Sequence, residues 1–304
     1  MLNLNAKPLL PLEPHVADNK QHSLSAQYLE SYESDLLAMW NYLRASADEE
    51  LSCKNLRIDG KAYPYGQCYQ ISTWVLDAFP RILSQKAKVQ NTQVRSGLDK
   101  IETFLRAGGE IRRIWGDLRG EYFQNALQVG SYYVDVSNDT VDATKPPVEI
   151  LPFNQAKIFA IKDFNHFADM GRRYWKREFY ANTVFPQLAP LLPLFSVGAQ
   201  GDIRFEGNDY TLALASENNF ALSKEAIESF PQLSKEWVEI LACYFKDSKY
   251  EFVATADFTL AQKACIDHAN SPPLSYKEYF NTSTMSLIEI NKKLEKIKLT
   301  GEIK

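Results

Sequence analysis

At Glu110 the spacing of apolar residues along this 304-residue chain switches from a helical to a strand rhythm, and that switch limits the fold it can adopt. Before it, Leu29, Tyr32, Leu36, Met39, Trp40 and Leu43 recur at steps of three and four, with Ser25 as a candidate cap. A second stripe enters at Cys68 and carries Ile71, Trp74, Val75, Ala78 and Phe79, and Pro80 either kinks that helix or starts a new one. A third covers Gly97 to Arg106 and stops at Gly108-Gly109. After the switch, Glu110–Trp115, Tyr122–Val129 and Tyr132–Val136 read as three strands of an antiparallel meander, separated by Gly-rich turns. Helices followed by such a meander specify an α+β fold, here with N-terminal helices, an antiparallel β-meander and a helix-rich C-terminal half.

Residues 1–20 contain three prolines and no periodicity, which reads as an extended arm. Residues 21–147 form the helix-plus-sheet core, and the Pro146-Pro147 region (Asp142–Pro152) is the best internal boundary. Residues 148–304 read as a mixed region: a strand at Lys157–Ile161, a long helix from Phe164 to Ala181, and a hairpin whose second strand carries Tyr210, Leu212 and Leu214. Helices at Ser223–Phe230 and Ser234–Phe245, a strand at Tyr250–Ala254 and a terminal helix over Ser286–Ile297 follow. The sequence leaves open whether this region is a separate domain or completes one core.

Composition excludes several classes. With 34 basic against 38 acidic residues and a net charge of −4, a general electrostatic grip on nucleic acid is not expected. The longest apolar stretch, near Val184–Val197, is too short and proline-rich to span a membrane. No secretory signal is visible, and four scattered cysteines (Cys53, Cys68, Cys243, Cys265) are too few for a disulfide scaffold, so a reducing cytoplasm and free thiols are expected. The sequence is silent on oligomeric state.

The clearest chemistry lies at Tyr63-Pro64-Tyr65-Gly66-Gln67-Cys68. Orphan N–H groups and the macrodipole at a helix N-terminus favour a thiolate, so Cys68 is the candidate nucleophile. A buried structural cysteine continuing the Ile71–Val75 stripe is the competing reading. The Gly-Gln-Cys entry into a helix, followed by the strand pair Phe123–Val129 and Tyr132–Val136, resembles the transglutaminase-like and papain-like superfamily of cysteine enzymes over residues 63–140. The resemblance implies Cys68 as nucleophile, Gln67 and nearby N–H groups at the oxyanion, and Asp135 as orienter. It also implies that Asn125 occupies the place of the general-base histidine, and an asparagine takes up no proton near neutral pH. His166 is the best substitute base, although a surface histidine is the commoner outcome at such a helical position. His15 and His22 fall in the arm.

Register bears on this arrangement. A two-residue turn at Gly130-Ser131 pairs Val129 with Tyr132 and sends Asn125 and Asp135 to opposite faces, whereas a three-residue loop places them together. Cys265 and His268 have metal-like spacing without a second pair, and Asp135, Asp139 and Asp142 lack the spacing of a calcium loop, so no metal and no cofactor are expected. Arg172-Arg-Tyr-Trp-Lys-Arg177 reads as a solvated basic helix face. Two functions remain: a thiol-dependent hydrolase or acyltransferase acting on a peptide or amide, in active or degenerate form, and a non-catalytic protein that binds a ligand or protein partner on the same scaffold.

Overall fold

The computed structural model describes residues 9–55, 57–58, 60–270 and 276–299. The fold is α+β, and the chain divides into two compact units, one comprising Leu12–Ala160 and the other comprising the residues up to Pro11 and from Ile161 onward.

The first unit begins with α1 (Asn19–Tyr28), capped by Asp18, whose carboxylate accepts the Gln21 N–H at 2.7 Å. Ser25, read from sequence as the cap, instead lies buried inside α1, and its hydroxyl accepts the Ser131 N–H at 3.0 Å. The helices α2 (Glu33–Ser52), α3 (Cys68–Ser84) and α4 (Thr92–Arg106) follow. Pro80 lies inside α3. Asn91 starts α4 by accepting the Gln93 and Val94 N–H groups.

The sheet runs β4-β3-β2-β1-β5, antiparallel throughout, from β1 (Ile111–Leu118), β2 (Tyr122–Val129), β3 (Tyr132–Asp135), β4 (Glu149–Pro152) and β5 (Ile158–Phe159). A short helix, α5 (Phe153–Ala156), links the last two. Val129 pairs with Tyr132, the register of a two-residue turn, and Gly130 supplies a left-handed φ of 55° there. Leu127, Val129, Val134 and Val136 therefore share one face, and they form a single core with Met39, Trp40 and Leu43 of α2, Ile71, Val75 and Phe79 of α3, and Leu98, Ile101 and Phe104 of α4.

Two sequence readings shift here. The Pro146-Pro147 region is a loop within the sheet rather than a boundary, because β4 beyond it pairs with β3; the division falls after Ala160. The expected arm turns at residues 11–12, where Leu12 takes a left-handed φ of 64°, gives way to α1 at Asn19, and between them is laid on the sheet: Trp115 N–H donates to Leu12 O at 2.8 Å and Gln128 Nε2 to His15 O at 2.8 Å. Residues 1–8 lie outside the described residues.

The second unit contains α6 (Phe164–Trp175), a three-stranded antiparallel sheet of β6 (Arg177–Ala181), β7 (Leu194–Gly198) and β8 (Ile203–Phe205), and the helices α7 (Asp209–Ser216), α8 (Ala221–Ser229), α9 (Lys235–Phe245), α10 (Phe258–Ala269) and α11 (Tyr276–Leu294). The helix expected to reach Ala181 ends at Trp175, where Lys176 takes a left-handed φ of 55° and Arg177 opens a strand. Arg177 is buried rather than solvated, and its guanidinium donates to Ser196 Oγ at 2.7 Å and Ser196 O at 3.1 Å. The expected second hairpin strand is α7: Asn208 and Thr211 form a capping box, and the helix is buried on nearly every side, so its apolar residues mimic alternation. β8 pairs with β7 instead. Residues 250–254 form irregular structure rather than a strand. Among the described residues no helix is long and apolar enough to cross a membrane.

Candidate functional site

Cys68 is the first residue of α3, and the loop before it is tied down from two directions. Gly66, at φ +69°, donates its N–H to Thr140 O at 2.9 Å. A Cβ at Gly66 would lie 3.1 Å from the Ile58 side chain, so both the positive φ and the close neighbour favour glycine. Tyr63 OH donates to the Asp48 carboxylate. Gln67 is fully buried; its N–H donates to Pro64 O at 3.0 Å and its carbonyl accepts the Ile71 N–H.

Behind these contacts stands Arg44 of α2, 3% exposed. Its guanidinium donates to Asp48 Oδ1 at 2.7 Å, to both oxygens of Asp139 at 2.7 and 3.1 Å, and to Val136 O at 3.0 Å. Burial opposes its charge, but the two carboxylates outweigh that cost and raise its pKa. Arg44 thus fastens the loop after β3 and, through Asp48 and Tyr63, the loop before Cys68. Sequence reading passed over it, although a charged residue four positions after Trp40, on the apolar stripe, is a visible signal.

The structure brings Cys68 and Asn125 together. Asn125 Nδ2 donates to Cys68 Sγ at 3.5 Å, and Asn125 is 8% exposed. Directly across β1, Trp115 pairs with Asn125 and its ring stacks on Phe123 at 4.8 Å. Toward solvent, Tyr69 is half exposed, the Arg113 guanidinium lies 4.9 Å from the centre of its ring, and Arg113 also donates to Thr73 Oγ1. Neither Trp115 nor Arg113 was singled out from sequence; both sit on β1 at positions sharing Asn125's face.

Asp135 is separated from this pair. The β2–β3 register places it on the opposite face of the sheet from Asn125. It is fully buried and accepts hydrogen bonds from Gln124 Nε2 at 2.6 Å, Tyr133 OH at 3.0 Å, and the Ser137 N–H and Oγ at 2.8 and 3.0 Å. Burial raises its pKa, and those four donors offset the rise in part. Asp135 therefore orients nothing on the Cys68 face. His166 belongs to the second unit, near the start of α6, where its Nδ1 accepts the Lys162 N–H at 3.3 Å and its own N–H is capped by Asp163.

The thiol departs from the sequence expectation in electrostatics. Burial pushes the Cys68 pKa up, the hydrogen bond from Asn125 acts in the opposite direction without cancelling it, and the Asp135 charge adds to the rise. Cys68 is partly buried, and its surroundings favour the thiol over the thiolate.

Among the described residues no group of three His, Cys, Asp or Glu side chains is placed to hold a metal. Cys265 is buried in a small apolar cluster with Phe220 and Ile227, and burial pushes its thiol up to about 12. The His268 ring lies edge-on to Phe220 at 5.0 Å. No protein-family model, curated protein or solved structure matches the chain.

Proposed function

We propose that the Leu12–Ala160 unit is a binding module that holds a peptide or amide group at the Cys68–Asn125 face without cleaving it. The observation that carries this reading is the neighbour of the thiol. The side chain hydrogen-bonded to Cys68 Sγ is an amide, which neither removes a proton from a thiol nor returns one to a leaving group. The Asp135 carboxylate lies away from that face and is spent on donors across the sheet. A cysteine at a helix start beside a strand amide is a place for contact, and the amide supplies no proton transfer.

What remains suits recognition. With one Nδ2 hydrogen on Cys68 Sγ, Asn125 keeps one N–H donor and one carbonyl acceptor, the pair that a peptide or primary amide complements. Tyr69 and Arg113 extend the face with an exposed ring and a cation, side chains common among binding hot spots.

The test is the alkylation rate of each cysteine in the native protein as a function of pH, read by peptide mass, together with folding of Cys68→Ala. Slow labelling of Cys68 with an apparent pKa above the free value of ~8.5, and a Cys68→Ala variant that folds and keeps its ligand, support binding. Rapid and selective labelling of Cys68 at pH 6–7 would return it to the role of nucleophile and overturn the reading.

A further inference from the structure

The first unit contains a cavity that shares no residue with the Cys68 face. Its volume is about 350 Å³, with Ala17, Tyr132 and Phe153 buried at its floor and His22, Glu30 and Asn154 exposed at its rim. It opens where α1 passes the β3–β4 end of the sheet. His22 and Glu30 line it from the α1 side, Ser131 and Tyr132 from the start of β3, and Phe153 and Asn154 from the junction of β4 and α5. Small apolar residues complete the wall.

Three observations define the chemistry this cavity accepts. No lysine or arginine lines it, while Glu30 does, and among the described residues Glu30 has no ion-pair partner. A carboxylate at the wall with no cation beside it attracts a positive ligand and repels a negative one. Tyr132 is only 8% exposed, and its hydroxyl makes no hydrogen bond with any described residue and reaches solvent, which leaves it open to a ligand. Burial and the charges of Glu33 and Glu30 hold that phenol protonated, so its oxygen is a neutral acceptor. Finally, His22, Ser131 and Asn154 each carry an atom that accepts a hydrogen bond, and the rings of Tyr132 and Phe153 are surfaces against which a cation is stable.

We propose that this cavity binds a primary ammonium group carried on a short apolar body. Glu30 is the counter-ion, the Tyr132 hydroxyl oxygen is a second acceptor, and the Tyr132 and Phe153 rings contact the apolar body. The three N–H donors of an ammonium match an acceptor-rich wall, and a carboxylate or phosphate ligand would face Glu30 with no cation to hold it. The ammonium belongs either to a free amine or to a lysine side chain.

Titration of the full-length protein with four probes, followed by calorimetry or ligand-observed NMR, tests the proposal. The probes are 2-phenylethylamine, its neutral isostere 2-phenylethanol, the anion phenylacetate, and Nα-acetyl-lysine amide as the lysine form. Binding of an amine probe with roughly tenfold preference over the alcohol, and none of phenylacetate, is expected from one charge-assisted contact. Glu30→Gln should erase that preference while leaving the alcohol's affinity unchanged, which also reports that the cavity is intact. Tyr132→Phe should weaken the amine about threefold. Tighter binding of 2-phenylethylamine assigns the site to free amines, and tighter binding of the lysine probe assigns it to lysine side chains. Equal affinity for amine and alcohol, insensitivity to Glu30→Gln, or no amine binding up to about 10 mM would overturn it.

Discussion

Cys68 shows how a single residue's chemistry is decided by what tertiary structure places over it. Its helix position favours a thiolate, but burial outweighs that, with the nearby Asp135 charge adding to the rise. Placing a protonatable group at the thiol should reverse the balance. Asn125→His sets an imidazole against Sγ, and the alkylation rate of Cys68 at pH 7 is expected to rise about tenfold over wild type, since an adjacent imidazolium stabilises the thiolate; an unchanged rate would mean that burial alone governs the thiol. Asp135 gives a second residue-level outcome. Its folded pKa is raised, so the folded state binds more protons than the unfolded state between the ordinary carboxylate value and the raised one. The stability this group contributes is fully present below the unfolded pKa and is lost as pH rises through the folded one. Relative to Asp135→Asn, wild type should therefore gain stability as pH is lowered from neutrality toward ~3.9, read from urea midpoints at a series of pH values. The Cys68–Asn125 pairing was within reach of the sequence, because alternation along β2 puts Asn125 on the helix-covered face with Leu127 and Val129, and the turn length decides only where Asp135 falls. The thiol's pKa was not, because burial is a property of everything packed around it.

At the scale of elements, the strongly periodic segments were legible and the fully buried ones were not. The Gly97–Arg106 part of α4 and the three strands of the meander follow from spacing and turn residues, whereas the first turn of α4 and its Asn91 cap, ahead of the apolar stripe, were not read. α7 did not follow, because Tyr210, Leu212 and Leu214 are buried together with the residues between them, and a helix without a polar face leaves no 3.6-residue signature. The strand β6 was hidden for a similar reason: Arg177, which reads as solvent-facing, is buried in hydrogen bonds with Ser196. Contacts between elements carry measurable consequences. Arg44 joins α2 to the loops flanking the site, and Arg44→Met leaves Asp139 and the Val136 carbonyl without their donor. A loss of about 3–5 kcal/mol, the cost of breaking a buried ion pair from one side, is expected in chemical denaturation, together with faster Cys68 alkylation as the loop before it loosens. Where α2 crosses α4, a Cβ on Gly97 would stand 2.5 Å from Asp35 O and 2.8 Å from Met39 Cβ. Gly97→Ala, although it favours helix in isolation, should therefore destabilise by about 1–3 kcal/mol through overpacking. A stabilised variant in the same denaturation assay would show that the two helices separate without cost.

For the whole molecule, composition said little about internal division. Each unit has a separate apolar core: Trp40, Phe79 and Phe104 belong to one, and Phe185, Phe195, Phe205 and Phe245 to the other. The boundary was misplaced from sequence because a double proline marks a turn just as well inside a sheet as between units, and only the pairing of β4 with β3 distinguishes the two. Two cores imply that damage to one need not reach the other. Phe185 meets Phe245 edge to face at 4.9 Å and Phe252 at 5.2 Å, so Phe185→Ala should cost its unit about 3–5 kcal/mol. Hydrogen exchange is then expected to speed up across β6, β7 and α9 while amides of β2 keep their protection and Cys68 keeps its slow alkylation. If β2 lost protection in parallel with β7, the two cores would be unfolding as one cooperative body, and the Cys68 face would owe its stability to the second unit as well as the first.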